Sequence, residues 1–261
     1  MFRSKPFSII SPVYGQNFSS DESAVFLSIV DAIKAEAKLA QENLLNNNVS
    51  LASAHANKAS ALLTANVNDE IVETNQRLAD ELNTALTTLK TSITSVQGNE
   101  SVNDMNFVFG DIDAILDEVV TARISPEQLN NSTTQVLRII EILDKVLSNY
   151  GDSFAVGFDM TNMSNLIIDE GVNRSLINVT DYQTSKALAE RAQELFNSEQ
   201  MNASIAASEI TDQSVDNIAS VLEELVTDIG NRTPPKEIMT IVHTKLHPSF
   251  LASFNLNPAI H

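Results

Sequence analysis

Apolar residues recur at helical spacing along much of the chain. Between positions 71 and 93 they follow alternating steps of three and four residues, which places them on one face of a helix. Two further stripes show the same spacing, from Phe26 to Leu44 and from Val215 to Ile229. No comparable run alternates with a period of two, so strands are not expected. The pattern predicts an all-α fold, an antiparallel helical bundle of about eight or nine helices.

Local signals divide the chain into segments. Ser19 and Glu22 form a capping box at the start of the first predicted helix. Arg3 and Lys5 precede a short apolar run, as they would in a signal peptide or in an ordinary terminal segment. Helical periodicity is lost after position 151. We therefore predict a disordered leader or remnant signal peptide (1–18), an N-terminal helical half (19–151), an irregular connection (152–179) and a C-terminal helical half (180–261).

Charge and composition narrow the possible partners. The chain has 16 Lys and Arg against 34 Asp and Glu, a formal net charge of −18, and no stretch gathers the basic residues. Binding to nucleic acid is not expected, because it requires clustered cations that neutralise phosphate. No run of 18 apolar residues occurs, so direct membrane insertion is not expected either. The absence of cysteine excludes disulfides, thiolate metal sites and iron–sulfur clusters.

Acceptor sites for N-linked glycans are frequent. Random placement of the same Asn, Ser and Thr residues predicts about half of the ten sites present. This excess favours an extracytoplasmic glycoprotein, secreted, pseudoperiplasmic or held at the cell surface. The alternative is that these residues are enriched because they cap helices. The acceptor residues are Asn17, Asn48, Asn99, Asn130, Asn131, Asn162, Asn173, Asn178, Asn202 and Asn231.

Two of the four histidines, His243 and His247, lie four residues apart in the stretch IVHTKLHPSF. On a helix this separation places both imidazoles on one face, where they can share a metal ion. Pro248 disfavours helical backbone at the preceding residue, so the helix is expected to end at His247 or just before it. The alternative is that both histidines stabilise the negative end of the helix dipole and bind no metal.

His55 is the third candidate metal ligand. It lies in the alanine-rich stretch SLASAHANKASALLTA, whose small side chains allow close approach of a neighbouring helix. If His55 faces His243, a mixed site for Fe, Cu or Zn could form, with oxygens from Glu36, Glu70 or Glu73. The alternative is a hydrogen-bonded core histidine that binds no cofactor.

No catalytic constellation is evident in the sequence, and we expect the chain not to be an enzyme. It lacks a glycine-rich phosphate loop, a nucleophile elbow and the Glu-x-x-His pairs of di-iron bundles. The span Asp159 to Glu170 has the end spacing of a calcium loop, but its inner positions lack the required oxygen ligands and glycine. Asp113 and Asp117 share one helix face, either as solvated surface or with a cation between them.

Two C-terminal segments carry a family resemblance. DYQTSKALAERAQELF (181–196) and IVHTKLHPSFLASFNL (241–256), with the density of glycan sites and the VYGQ leader, resemble extracytoplasmic all-helical domains of ammonia-oxidising archaea. Some of those domains are similar to the soluble domains linked to Ftr-type high-affinity iron permeases. The membrane helices and the glutamate-containing iron motif of the permease are absent here. The resemblance implies an outward-facing helical module concerned with metal ions, with His243 and His247 as the residues to test.

Two functional hypotheses follow. The first is an exported, non-enzymatic helical bundle that binds a metal cation and presents it to a partner such as a membrane permease. The second is an extracellular interaction or sensory module, directed at a cell-surface protein, in which the histidines are structural.

Overall fold

A computed structural model describes residues 19–95, 100–156, 175–206 and 210–256. Within these ranges the regular structure is entirely helical, which confirms the predicted all-α helical bundle. The helices are α1 (Ser20–Leu45), α2 (Val49–Leu62), α3 (Ala65–Ser95), α4 (Glu100–Arg123), α5 (Pro126–Leu129), α6 (Ser132–Ser153), α7 (Val179–Phe196), α8 (Glu199–Ala206), α9 (Asp212–Gly230), α10 (Pro235–Thr240) and α11 (His247–Ser253), with a π-helical segment, Ile241–Leu246, joining the last two.

The start of α1 follows the predicted capping box. The Ser19 hydroxyl accepts from the Glu22 backbone N–H, and the Glu22 carboxylate accepts from the Ser19 backbone N–H at 2.9 Å. These bonds satisfy two donors that would otherwise lack partners at the helix end. The predicted leader, 1–18, lies outside the described residues, as does most of the predicted connection, including the segment from Asp159 to Glu170.

Helix α1 lies at the centre of the fold. It packs against α2, α4, α6 and α7 and contributes to two hydrophobic clusters. One cluster joins one face of α1 to α2, α3 and α4, and the other joins Ala24 and Ala32 of α1 to α6, α7, α9 and the C-terminal helices. The two clusters therefore meet along α1. Helix α6, which precedes the segment 152–179, belongs to the same cluster as α7, which follows it.

A buried carboxylate fixes α1 against two of its neighbours. Asp31, which is 2% exposed, binds Arg138 of α6 at 2.6 and 2.8 Å and Arg191 of α7 at 2.9 Å. Burial alone would raise the pKa of Asp31, but the two guanidinium groups hold it below its usual value. The ion pair therefore stays charged and joins three helices in the interior.

The stripe predicted between positions 71 and 93 forms the buried face of α3. Ile71, Leu78, Leu82 and Leu89 are each at most 2% exposed. The stripe has one polar member, Asn75, whose backbone is not helical (φ −160°, ψ 98°), so α3 is kinked there. Asn75 is half-buried, and its side chain accepts a hydrogen bond from the Arg77 backbone N–H, which offers the chain an alternative to helical hydrogen bonding.

The prediction that the last helix ends at His247 is wrong. His247 keeps helical backbone angles (φ −54°, ψ −51°), and the chain continues as helix to Ser253. The π-helical segment accounts for this, since the His247 N–H donates to the Val242 carbonyl, five residues earlier. Pro248 then lies in the first turn of a new α-helical segment, where its missing N–H costs little.

Across the described part of the chain, no helix combines the length and apolar character needed to span a membrane.

Candidate functional site

The two C-terminal histidines are in contact. Their ring centroids lie 5.1 Å apart with an interplanar angle of 87°, as the four-residue spacing predicts. His243 belongs to the π-helical segment and His247 begins α11, and both side chains are half-buried. Single π-helical turns are rare and frequently occur at functional sites. The pair is therefore a local departure from regular helix that brings two potential ligands together.

Asp144 of α6 completes this cluster. Its Oδ1 lies 3.5 Å from His247 Nε2, and its side chain is 33% exposed. Burial raises the pKa of Asp144 to about 6, the nearby Glu141 adds to the rise, and Lys145 opposes it. The sequence did not single out Asp144, because a carboxylate about a hundred positions away approaches the histidines only through packing of α6 against the C-terminal helices.

Two polar side-chain atoms of the cluster lack hydrogen bonds within the described residues. Nε2 of His243 and Oδ1 of Asp144 are both buried, and neither makes a hydrogen bond there. Burial also lowers the pKa of His243, which favours neutral imidazole. Neutral imidazole and ionised carboxylate are the forms that bind metal ions. A cation would offset the burial of these polar atoms, which is otherwise unfavourable.

The cluster is not a preformed coordination sphere. Among the described residues, no set of three or more His, Asp or Glu side chains is already placed to hold a metal ion. The T-shaped arrangement of the two rings shows why, since both nitrogens must point at one centre about 2.0–2.1 Å away to bind zinc. Metal binding by His243, His247 and Asp144 therefore requires rotation of side chains.

His55 lies in a separate, fully buried position on α2. Its Nδ1 is 2.6 Å from Glu36 Oε2, and its Nε2 is 2.8 Å from Gln183 Oε1. The same Gln183 oxygen accepts from Asn43 Nδ2 at 3.1 Å, which fixes the orientation of the amide. Both ring nitrogens thus have an oxygen within hydrogen-bonding distance. This arrangement favours a structural role for His55 over metal ligation, since both nitrogens are occupied.

The carboxylate of Glu36 is satisfied from several sides. Thr184 Oγ1 donates to Glu36 Oε1 at 2.7 Å, and Lys58 Nζ lies 3.3 Å from the same oxygen. Lys58 also donates to Asp181 and Asn149, each at 2.7 Å. Of the oxygens proposed from the sequence, Glu36 does reach His55, whereas Glu70 pairs with Arg123 at 2.5 Å. The network joins α1, α2, α6 and α7. Its polar groups make their hydrogen bonds and ion pairs with other groups of the protein.

The acidic pair on α4 is engaged with a lysine. Asp113 and Asp117 lie 2.7 and 2.6 Å from Lys34 Nζ of α1, and both carboxylates are largely exposed. This contact makes them a surface ion pair between α1 and α4.

Comparison with known protein families, with curated proteins and with solved structures finds no match at a significant level. Functional inference therefore rests on the residues described above.

Proposed function

We propose that this chain is an exported, non-enzymatic helical bundle that binds a transition-metal cation at the cluster of His243, His247 and Asp144. The observation that carries the proposal is the contact between two imidazoles, 5.1 Å apart, beside a buried carboxylate oxygen 3.5 Å from one of them. Two imidazoles and one carboxylate, with an open position for water, form a known ligand set for Zn²⁺ and non-haem Fe²⁺. Imidazole also suits copper.

The exposure of the cluster suits reversible binding. The histidines are half-buried, so an ion can enter and leave without unfolding of the bundle. The need to rotate side chains lowers affinity relative to a preorganised site. A net charge of −18 raises the local concentration of cations around the protein. These features favour a carrier that delivers its ion over a permanent structural site.

Export is supported by the positions of the glycan acceptor sites. Six of the ten lie within the described residues, and all but the half-buried Asn178 have an exposed asparagine. Asn48 and Asn131 cap helices through Oδ1, which leaves Nδ2, the atom that carries a glycan, for modification. The same caps support the alternative explanation for the abundance of Asn. Delivery of the ion to a membrane permease is supported by the resemblance of the C-terminal segments.

Calorimetric titration tests metal binding. Zn²⁺, Cu²⁺ and Fe²⁺ are titrated into untagged, metal-free wild type and into the double variant His243→Ala/His247→Ala. We expect one ion per chain in wild type and at least a hundredfold weaker binding in the variant. The control is Asp113→Asn/Asp117→Asn, which removes two surface carboxylates and should leave the affinity unchanged. Equal binding by wild type and the histidine variant would reject the site.

The second candidate is an interaction module with structural histidines. It is favoured by Phe107 on α4 and by Ile177 just before α7, large apolar side chains that are 76% and 64% exposed. Exposed aromatic residues are common anchors of protein interfaces. A correctly folded wild type that binds none of the three metals would favour this function over the first.

A further inference from the structure

A groove of about 530 Å³ lies between α3 and α4 and shares no residue with the histidine cluster. It is lined by residues between positions 80 and 88 of α3 and between positions 108 and 118 of α4, all of them exposed or half-buried. The buried faces of the same two helices pack mainly on each other, on α2 and on α1. The groove is therefore an outer surface of the bundle that none of the described helices covers.

The two helices that form the groove are antiparallel. Only four residues, 96–99, separate them along the chain, and Arg77 near the start of α3 binds Glu118 near the end of α4 at 2.9 Å. Side chains on the facing sides of two aligned helices leave a groove into which the ridge of a third helix can pack. The shape of this surface thus suits a helical ligand.

An apolar strip follows the groove. Ala85 of α3 and Val108 and Ile115 of α4 are half-buried and line it. Phe107 extends the strip, because helical spacing places it on the same face of α4 as Asp111 and Glu118, which line the groove. Its side chain is 76% exposed, more than any other large apolar side chain of the described residues. A partner that covers the groove would remove this ring from water.

The groove is acidic. Its described lining residues include no Lys or Arg and four carboxylates, those of Asp80, Glu81, Asp111 and Glu118. Arg77, beside the groove, binds Glu81 at 2.6 Å and Glu118 at 2.9 Å. Asp80 accepts a hydrogen bond from the Gln76 amide at 2.9 Å, and within the described part of the chain neither Asp80 nor Asp111 pairs with a Lys or Arg. One guanidinium thus accompanies four carboxylates, which leaves an excess of negative charge beside the apolar strip.

This charge determines which occupant the groove favours. A second copy of the chain would bring the same four carboxylates and a net charge of −18 to the contact, so the two copies would repel. A partner with Lys or Arg beside its apolar residues would instead be attracted, because the potentials of the two surfaces would be complementary.

We infer that the groove between α3 and α4 binds a basic amphipathic helix of a partner protein. The apolar face of that helix packs on Phe107, Val108 and Ile115, and its flanking Lys or Arg side chains pair with Asp80 and Asp111. The inference does not depend on metal binding. It gives the second candidate function, the interaction module, a defined surface and a class of partner.

Titration with a synthetic helix tests the inference. A fluorescein-labelled peptide of about 18 residues, roughly five helical turns, carries Leu on one face and Lys at the flanking positions. The full chain is titrated into it at 150 mM NaCl, and fluorescence anisotropy is measured. We expect wild type to bind one peptide per chain.

Two variants remove the two kinds of contact separately. Phe107→Ser removes the apolar anchor and Asp80→Asn/Asp111→Asn removes two carboxylates, and we expect each to bind the peptide about tenfold more weakly. The matched controls are Ile177→Ser and Asp69→Asn/Asp216→Asn. They make the same changes at exposed positions outside the groove and should bind as wild type does. Thermal unfolding of every variant should stay close to that of wild type, since all the replaced side chains are exposed.

The outcomes separate a docking site from general attraction to an acidic protein. A peptide with the same composition in scrambled order keeps the charge and loses the apolar face, and we expect it to bind at least about tenfold more weakly. Equal binding of the two peptides, or an equal loss in the variants and their controls, would overturn the inference, as would the absence of saturable binding to wild type. Sedimentation of wild type alone should show a monomer. A dimer that Phe107→Ser abolishes would assign the groove to a second copy and would also overturn the inference.

Discussion

At the scale of single residues, the cluster at the C-terminal end combines groups that are unfavourable to the metal-free protein. Burial raises the pKa of Asp144 to about 6 and lowers the pKa of His243. In both cases burial disfavours the charged form of the side chain. Side chains that destabilise the ligand-free protein are common at functional sites, where a bound ligand offsets the unfavourable burial. The cluster differs in this respect from the network around His55, in which the polar groups have hydrogen-bond partners within the protein.

Replacement of Asp144 by Asn should stabilise the metal-free protein at neutral pH and weaken metal binding. The folded-state pKa of Asp144 lies above the unfolded value, so wild type loses stability as pH rises from about 4 to about 6. The variant lacks this loss. After allowance for partial solvent exposure, we expect its free energy of unfolding relative to wild type to rise by roughly 1 kcal/mol over that interval.

Urea denaturation of both proteins in EDTA at pH 4, 5, 6 and 7 measures this difference, and Zn²⁺ titration should show about tenfold weaker binding. A pH-independent difference would show that Asp144 is not buried as described.

Replacement of His55 by Ala should destabilise the fold without affecting metal binding. The change leaves the Glu36 carboxylate, 1% exposed, without its closest partner and opens a buried space. We expect a loss of about 3 kcal/mol in the free energy of unfolding, measured by urea denaturation at pH 7, since it is costly to remove a hydrogen-bond partner from a buried carboxylate and to open a space in the core. The Zn²⁺ affinity should stay within a factor of about three, which is under 1 kcal/mol. Loss of bound metal in this variant would make His55 a ligand.

At the scale of elements, the π-helical segment determines how the histidine pair is presented. The four-residue spacing alone predicts that the rings share a face, and they do. A regular helix would have to end before Pro248, whereas the wider turn lets the chain continue to Ser253. The segment Ile241–Leu246 thus couples the position of one proline to the geometry of the proposed ligands.

Replacement of Pro248 by Ala should weaken metal binding with little change in stability. Alanine supplies the N–H that an uninterrupted α-helix requires, so the π-helical segment should relax and shift His243 relative to His247. We expect about tenfold lower Zn²⁺ affinity, which corresponds to about 1.4 kcal/mol. Pro126→Ala, at the start of α5 and outside the cluster, is the control. Unchanged affinity in Pro248→Ala would show that the π-helical segment does not position the ligands.

For the molecule as a whole, the sequence predicted the class of fold and the contact between His243 and His247 in the candidate site. Helical periodicity identified the buried stripe of α3, and Ser19 with Glu22 identified the start of α1, because both signals are local. Asp144, Lys58 and Gln183 could not be predicted, since their roles depend on contacts between distant helices. The kink at Asn75 and the π-helical segment were missed because packing and one proline override the regular helical pattern there.

The excess of acidic residues should make stability depend on salt. A net charge of −18 implies repulsion across the surface of the folded state. Raising NaCl from 20 to 500 mM shortens the screening length from roughly 20 Å to roughly 4 Å. We expect the midpoint of thermal unfolding to rise by about 3 °C. Sucrose at equal osmolality is the control, and a midpoint that falls with salt would show that attractive surface ion pairs dominate.

In the function that we propose, His243, His247 and Asp144 bind one metal ion. The most direct test is anomalous diffraction at the zinc edge from crystals of the full chain grown with Zn²⁺. We predict one strong peak bonded to both imidazoles at about 2.0–2.1 Å, with the Asp144 carboxylate as a third ligand. Zinc found only at surface carboxylates or at His55, with the histidine pair unchanged, would contradict it.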